Sequence, residues 1–265
     1  MNPIYFSTIL LEPNRWKRDL PKQVAASDWL DRIAQAGFEG IELFEPHFLL
    51  ASTAERNRIL AHPIPKPVFN SYLTLDPAGA IARSQALSAI VETGARAFKF
   101  NFGKTRDTWE AEKAVLEEIL DELPESVEAW CECHPGTSVE TPEVAAELLL
   151  SLGERVKIII HPFWSTEADL RQWMALFQDR VVHAHIQCRH PDDAQFFVRL
   201  EEVPTLVSER LGLIFGAGFI GSFCIEFVKG TREVEADRPE LLFEEAVRDR
   251  EFLLAAIAKM DNARY

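Results

Sequence analysis

The chain has 265 residues, 47% of them hydrophobic and 26% charged, which suits a globular protein with a large buried core and excludes a disordered polymer. Its 28 basic residues face 42 acidic ones, a formal charge of -14 that repels phosphate backbones and anionic membranes, so neither nucleic acid nor a membrane surface is an expected partner. The short basic stretch from Arg15 to Arg18 reads as a solvated loop and does not change that balance.

In chain order, strand-like runs fall near Ile4 to Leu10, Gly40 to Phe44, Val68 to Tyr72, Ala97 to Asn101, Glu128 to Cys133, Val156 to His161, Val181 to Ile186 and Ser222 to Phe227. Helix-like stretches alternate with them, at about Lys22 to Ala36, Thr53 to Leu60, Pro77 to Thr93, Asp107 to Leu123, Pro142 to Leu152, Glu167 to Phe177, Pro204 to Ala217 and Pro239 to Lys259. Thr141-Pro142-Glu143 and Asp76-Pro77 carry a capping residue followed by proline, and Gly37, Gly94 and Gly153 stand where a left-handed helix end favours glycine. No linker divides the chain. Alternating units with short connections fit a single-domain α/β protein, a (β/α)8 TIM barrel over residues 1–265, better than an open sheet.

The amino-terminal MNPIYFSTILLEPNRW lacks the basic segment, apolar stretch and cleavage site of a secretory signal, and no run reaches the length of a membrane span. Cys131, Cys133, Cys188 and Cys224 form no CxxC pair and are too few for a disulfide framework. A cytoplasmic protein with reduced thiols is the expectation. The sequence is compatible with a homo-oligomer.

Several apolar runs in the second half end on metal-ligand types of residue. AWCECH places Glu132 and His134, KIIIH places His161, VVHAH places His183 and His185, and FCIEF places Glu226. Burying a lone carboxylate or imidazole at a strand tip costs several kcal/mol unless something pairs with it, and a shared divalent cation can pair with them all. In a parallel barrel these tips lie at the carboxyl ends of the strands, where such folds keep their chemistry. Alternation sets Trp130, Glu132 and His134 on one face, with Cys131 and Cys133 on the other, under the helices. Lys99 and Glu42 alternate inward; for Lys99 a substrate contact and an ion pair with Glu42 are both open. Arg189 can reach a substrate phosphate or carboxylate, while Trp164, His47 and Phe48 can wall a sugar ring. Trp16, Trp109 and Trp173 read as packing beneath helices. GAGFIG precedes a strand rather than a phosphate-binding helix, so it is no dinucleotide fingerprint.

These residues resemble the xylose-isomerase-like barrels, in particular the sugar phosphate isomerase/epimerase group. The likeness runs through AGFEGIELF, WCECHPGTSVETPEVAAELL, VVHAHIQC and GFIGSFCIEF over nearly the whole chain. It implies one divalent ion, usually manganese, magnesium, cobalt or zinc, held at positions that correspond to Glu132, His161, His185 and Glu226. One position departs: the family usually carries aspartate on the sixth strand, where this chain has His161. A neutral nitrogen in place of an anionic oxygen favours zinc, manganese, iron or cobalt over magnesium, or marks a site whose metal has been lost. The resemblance further implies a carbohydrate-like small molecule as substrate, with Glu132 and Glu226 as paired acid and base. By position alone His134, Lys99, Arg189, Trp164 and Glu42 are read about the substrate, with a backbone bond within the HPGT turn the equal alternative for His134 and a merely solvated side chain the alternative for Arg189. Removal of a proton beside a carbonyl through an enediolate then gives isomerisation or epimerisation; a dehydroshikimate-dehydratase-like lyase and a noncatalytic barrel are the alternatives. An abasic-site endonuclease shares the fold but needs more metal ligands and a basic surface, neither evident here.

Overall fold

The computed structural model describes residues 2–17, 20–190, 193–233 and 236–262. Strands β1 (Ile4–Ser7), β2 (Gly40–Phe44), β3 (Val68–Asn70), β4 (Ala97–Phe100), β5 (Glu128–Glu132), β6 (Val156–Ile160), β7 (Val181–Ile186) and β8 (Ser222–Ile225) pair in sequence order, all parallel. Pairing of β1 with β8 closes the barrel, Ile4 standing opposite Phe223. The surrounding helices are α1 (Ser27–Gln35), α2 (Glu45–Leu49), α3 (Thr53–Ala61), α4 (Ala80–Thr93), α5 (Trp109–Glu122), α6 (Pro142–Leu149), α7 (Glu167–Phe177), α8 (Pro204–Gly216) and α9 (Pro239–Asn262). Among the described residues no helix is long and apolar enough to cross a membrane, and all four cysteines are free.

Strand alternation divides the barrel into two cores. Outward residues such as Phe6, Leu43, Phe69, Phe98, Cys131, Ile158, Ala184 and Phe223 join the helices in one continuous apolar layer. Inward, Tyr5, Val68, Ala97, Trp130, Ile159 and Cys224 make a small apolar plug. Thus Cys131 and Cys133 pack under helices as alternation requires, whereas Cys224 lies inside the barrel. Above the plug most inward positions are polar, Phe44 on β2 being an apolar one, and that layer carries the site.

A bulge aligns part of it. Between β6 and β7 the register passes from Ile158 opposite Val181 to Ile159 opposite His183, skipping Val182. The next inward position after Ile159 and His183 is therefore His161 beside His185, whose rings lie 5.4 Å apart. Gly221 makes room for the skipped residue: a Cβ there would lie 2.2 Å from the Val182 carbonyl oxygen.

Several local expectations are corrected. The first strand stops at Ser7, and Thr8–Leu11 forms a 3-10 turn. Its carbonyls explain the change: Arg15, only 1% exposed, donates to Ile9 O and Leu10 O and to Ala236 O, so it is a buried clamp rather than part of a solvated loop. Helix α1 begins at Ser27 because residues 23 and 24 donate instead to the buried Glu12 carboxylate. The short α2 arises at Pro46, too brief for a periodic pattern. Gly37 and Gly94 take positive φ, of 82° and 68°, but Gly153 does not. Trp16 is 49% exposed rather than packed beneath a helix.

Candidate metal centre

Each candidate ligand sits at a carboxyl-terminal strand tip. Glu132 ends β5, His161 follows β6 by one residue, His185 lies near the end of β7, and Glu226 follows β8 by one residue. Their exposures are 5%, 3%, 0% and 2%, and one ligand atom from each lies within 4.8 Å of all the others. His185 Nδ1 stands 3.0 Å from Glu132 Oε1 and 3.2 Å from Glu226 Oε2, and His161 Nε2 stands 3.4 Å from Glu132 Oε1.

Around this group the charges interlock. Lys99 Nζ donates to Glu132 Oε2 at 2.6 Å, and Asn101 Nδ2 donates to the Glu132 carbonyl oxygen at 2.9 Å. Burial alone would drive the Glu132 carboxyl up, but the Lys99 ammonium, with His161 and His185, holds it well below the usual carboxylate range. The same attraction, from Glu132, Glu226 and Glu42, outweighs burial at Lys99 and raises its pKa. Lys99 therefore pairs with Glu132, not with Glu42.

Glu42 lies beneath, fully buried, accepting from Ser7 Oγ at 2.9 Å, Asn70 Nδ2 at 2.8 Å and His185 Nε2 at 2.9 Å. It contacts the site through His185 and is not on the wall of the open cleft. Burial disfavours a charged His185, yet Glu226 and Glu42 hold its pKa well above the imidazole norm, so without a metal it is an imidazolium bridging two levels of carboxylate. His183, one repeat deeper, is pushed down to about 4 by burial and stays neutral, bonded to Ser222 Oγ at 2.7 Å.

Two nitrogen and two carboxylate donors suit a divalent cation of the zinc, manganese, iron or cobalt type. One atom asks for it: His161 Nε2 is buried among the other donors, with only a long 3.4 Å approach to Glu132 Oε1 and no well-formed hydrogen bond. Burial lowers the pKa of His161, which keeps the ring neutral as a ligand must be. The residues fit the ion. A second set, Glu42, His183 and Cys224, also converges lower in the barrel. There burial, with Glu42 and Glu226, raises the Cys224 thiol well above its normal pKa, against the thiolate that a metal needs.

Over the ligands opens a cleft of about 440 Å³, with Lys99, Asn101, Glu132, His134, Gln187 and Glu226 on its floor and sides and Trp16, Trp164, Arg189 and Arg232 also lining it. His134 bonds its own turn, Nδ1 lying 2.8 Å from Pro135 O, and stacks on Trp164. Arg189 lies between the Trp164 and Phe197 rings, at 4.5 and 4.4 Å. His47 and Phe48 do not reach the cleft: Phe48 is fully buried, and His47 sits between Thr8 and Glu12. A larger cavity, about 1350 Å³, opens by Pro3, Arg96, Glu128 and Ser222 at the opposite end of the barrel, away from the ligand group.

Sequence reasoning did not give Ser7, Asn70 or Arg232 a part in the site. Ser7 and Asn70 hold inward alternate positions, a signal that was present; Arg232 comes from a loop and carried none.

No protein-family model matches this chain, and no curated protein sequence does. Solved structures do match in shape. A xylose isomerase-like TIM barrel protein from Mycobacterium smegmatis, in complex with magnesium, superposes with a TM-score of 0.69 at 13% identity over 98% of both chains. A probable 3-DHS dehydratase from Bacillus anthracis gives 0.65 at 14% identity, covering 93% of this chain and 97% of that one. The 3-keto-D-glucoside 4-epimerase of E. coli gives 0.58 at 12% identity, covering 92% and 98%. An endonuclease IV shares the shape as well, so likeness at this distance speaks for architecture and does not select a reaction. The chain has the closed (β/α)8 barrel fold that these structures share.

Proposed function

We propose that this barrel is an enzyme that holds one divalent metal ion and isomerises or epimerises a sugar or sugar derivative by moving a proton next to a carbonyl. The observation that carries the reading is the meeting of Glu132, His161, His185 and Glu226 under an open cleft, with an orphaned imidazole nitrogen among them. Similar barrels that include a magnesium complex and a sugar epimerase support it by analogy.

When bound, the ion supplies Lewis-acid polarisation of a carbonyl, on the order of several kcal/mol of charge stabilisation. The side chains do the rest. Glu226 lines the cleft, its Oε2 steadied by Gln187 Nε2 at 3.1 Å, a base for a carbon-bound proton. Glu132, kept ionised by Lys99, is the second proton carrier on another side of the cleft. Trp164, stacked with His134, offers an aromatic face to a sugar ring, and Arg189 beside it offers a cation.

The test is metal content followed by proton exchange. Protein dialysed against manganese, zinc or cobalt and then against buffer should retain close to one ion per chain, and Glu226→Gln should retain far less. Loaded protein in deuterated water should exchange the hydrogen beside the carbonyl of an accepted ketose or aldose, read by NMR, without forming a conjugated, ultraviolet-absorbing product. Failure to take up any of these ions would overturn the reading.

A further inference from the structure

The geometry points to an oxyanion subsite at the cleft mouth, where Arg189 and Arg232 together grip a carboxylate or phosphate carried by the substrate. This deepens the proposed function and rests on the cleft being the substrate site. The two arginines reach it from different loops, after β7 and after β8, and both line the cleft beside Gln187 and Glu226. They share one aromatic ring: Phe197 lies 4.4 Å from the Arg189 guanidinium carbon and 5.9 Å from that of Arg232. Trp164 covers the first at 4.5 Å and Trp16 the second at 5.0 Å. Packing against ring faces fixes each guanidinium plane and leaves its N–H edge to meet an anion.

Neither arginine forms an ion pair with a carboxylate among the described residues. Arg189 Nη1 donates to the Ala194 carbonyl at 3.0 Å, and its Nε is buried without a partner. In a chain with 42 acidic residues against 28 basic ones, surface arginines elsewhere find carboxylates readily, as Arg171 does with Glu167 and Arg106 with Glu147. Here two cations are instead held close enough to repel, and burial first, then that repulsion, depresses Arg189 against the weaker pull of Glu226. A bound oxyanion removes the repulsion and takes charge-assisted hydrogen bonds from both. Trp16, half exposed, and Trp164 then flank the ligand between this anion end and the metal ligands below.

The experiment titrates the intact protein with inorganic phosphate, followed by 31P NMR, and with acetate, followed by 13C NMR, comparing it with Arg189→Met, Arg232→Met and a control, Arg171→Met. Methionine keeps contact with the rings, and circular dichroism checks that each variant is folded. The dissociation constant for at least one anion should rise tenfold or more in both cleft variants and stay unchanged in the control. Tighter phosphate binding assigns a phosphorylated substrate, and tighter acetate binding a carboxylated one. Absence of binding by the parent protein, or binding by folded Arg189→Met or Arg232→Met as tight as the parent's, overturns the subsite. Metal content is measured on the same samples: loss of the anion effect with metal retained sinks this inference alone, whereas retained anion binding without metal uptake sinks the proposed reaction alone.

Discussion

His185 sets its two ring nitrogens against carboxylates at different levels of the barrel, Nε2 at 2.9 Å from Glu42 Oε2 and Nδ1 at 3.0 Å from Glu132 Oε1. The lower contact fixes which nitrogen keeps its proton. With Nε2–H held by Glu42, Nδ1 is the nitrogen left for a metal, the carboxylate–histidine–metal arrangement that raises ligand basicity. Glu42→Gln retains an acceptor of the same shape but loses the charge, and should weaken zinc or manganese binding about 10- to 100-fold. Competition against a chromophoric chelator measures this; an unchanged constant would remove Glu42 from the orienting role.

Metal uptake should also release a proton. Free of metal, His185 is held as an imidazolium well above the usual imidazole pKa, and Nδ1 must be deprotonated to bind a cation. The protonated form competes, so affinity should rise with pH, by about tenfold per unit below the His185 pKa, and flatten above it. Calorimetric titration of zinc in buffers of different ionisation enthalpy reads the proton directly. A pH-independent affinity with no proton released would mean that His185 is not displaced from its ionised state.

His161 is where this chain departs from the family it resembles, and if it coordinates a metal the departure should show in selectivity. Gln187 Nε2 faces His161 Nδ1 at 2.9 Å and Glu226 Oε2 at 3.1 Å, so one amide steadies both an imidazole and a carboxylate of the group. His161→Asp replaces a neutral nitrogen with an anionic oxygen, which hard cations prefer. Under competitive loading, read by mass spectrometry, the variant should shift from zinc or cobalt toward magnesium and manganese. Unchanged selectivity would place His161 outside the coordination sphere.

Much of this arrangement was legible before any coordinates because a strand repeats every second residue. Lys99, Glu132, His183, His185 and Glu226 could be set on inward faces by counting along apolar runs, and closure of the sheet brings those faces together. What counting could not supply was height. The skipped Val182 that levels His161 with His185 depends on the pairing of two strands, and nothing local in VVHAH announces it. Loop chemistry was equally hidden: Arg15 satisfies carbonyls of a turn and of a segment 221 residues away, while Trp16, its neighbour, turns to the cleft. Adjacent residues with opposite fates carry no periodic signal.

Stability offers a test independent of the metal. Asp249, on α9, is 3% exposed and accepts from Leu200 N at 2.9 Å. Burial pushes its carboxyl up to about 7, and Glu245 and Glu201 add to the rise against the pull of Leu200 N–H and Arg199. An unfolded aspartate titrates near about 3.9. Below that pH both states hold the proton; between it and about 7 the unfolded chain releases a proton that the folded chain keeps, so stability falls as pH rises through this window. Three pKa units correspond to about 4 kcal/mol at most. Asp249→Asn keeps an acceptor for Leu200 N–H and removes the ionisation. Urea unfolding from pH 4 to pH 8 should therefore show the parent losing stability relative to the variant, with the gap opening between about pH 4 and about pH 7 and constant beyond. Parallel curves for the two proteins would contradict a raised Asp249, and a gap that widens toward acid would reverse its sign.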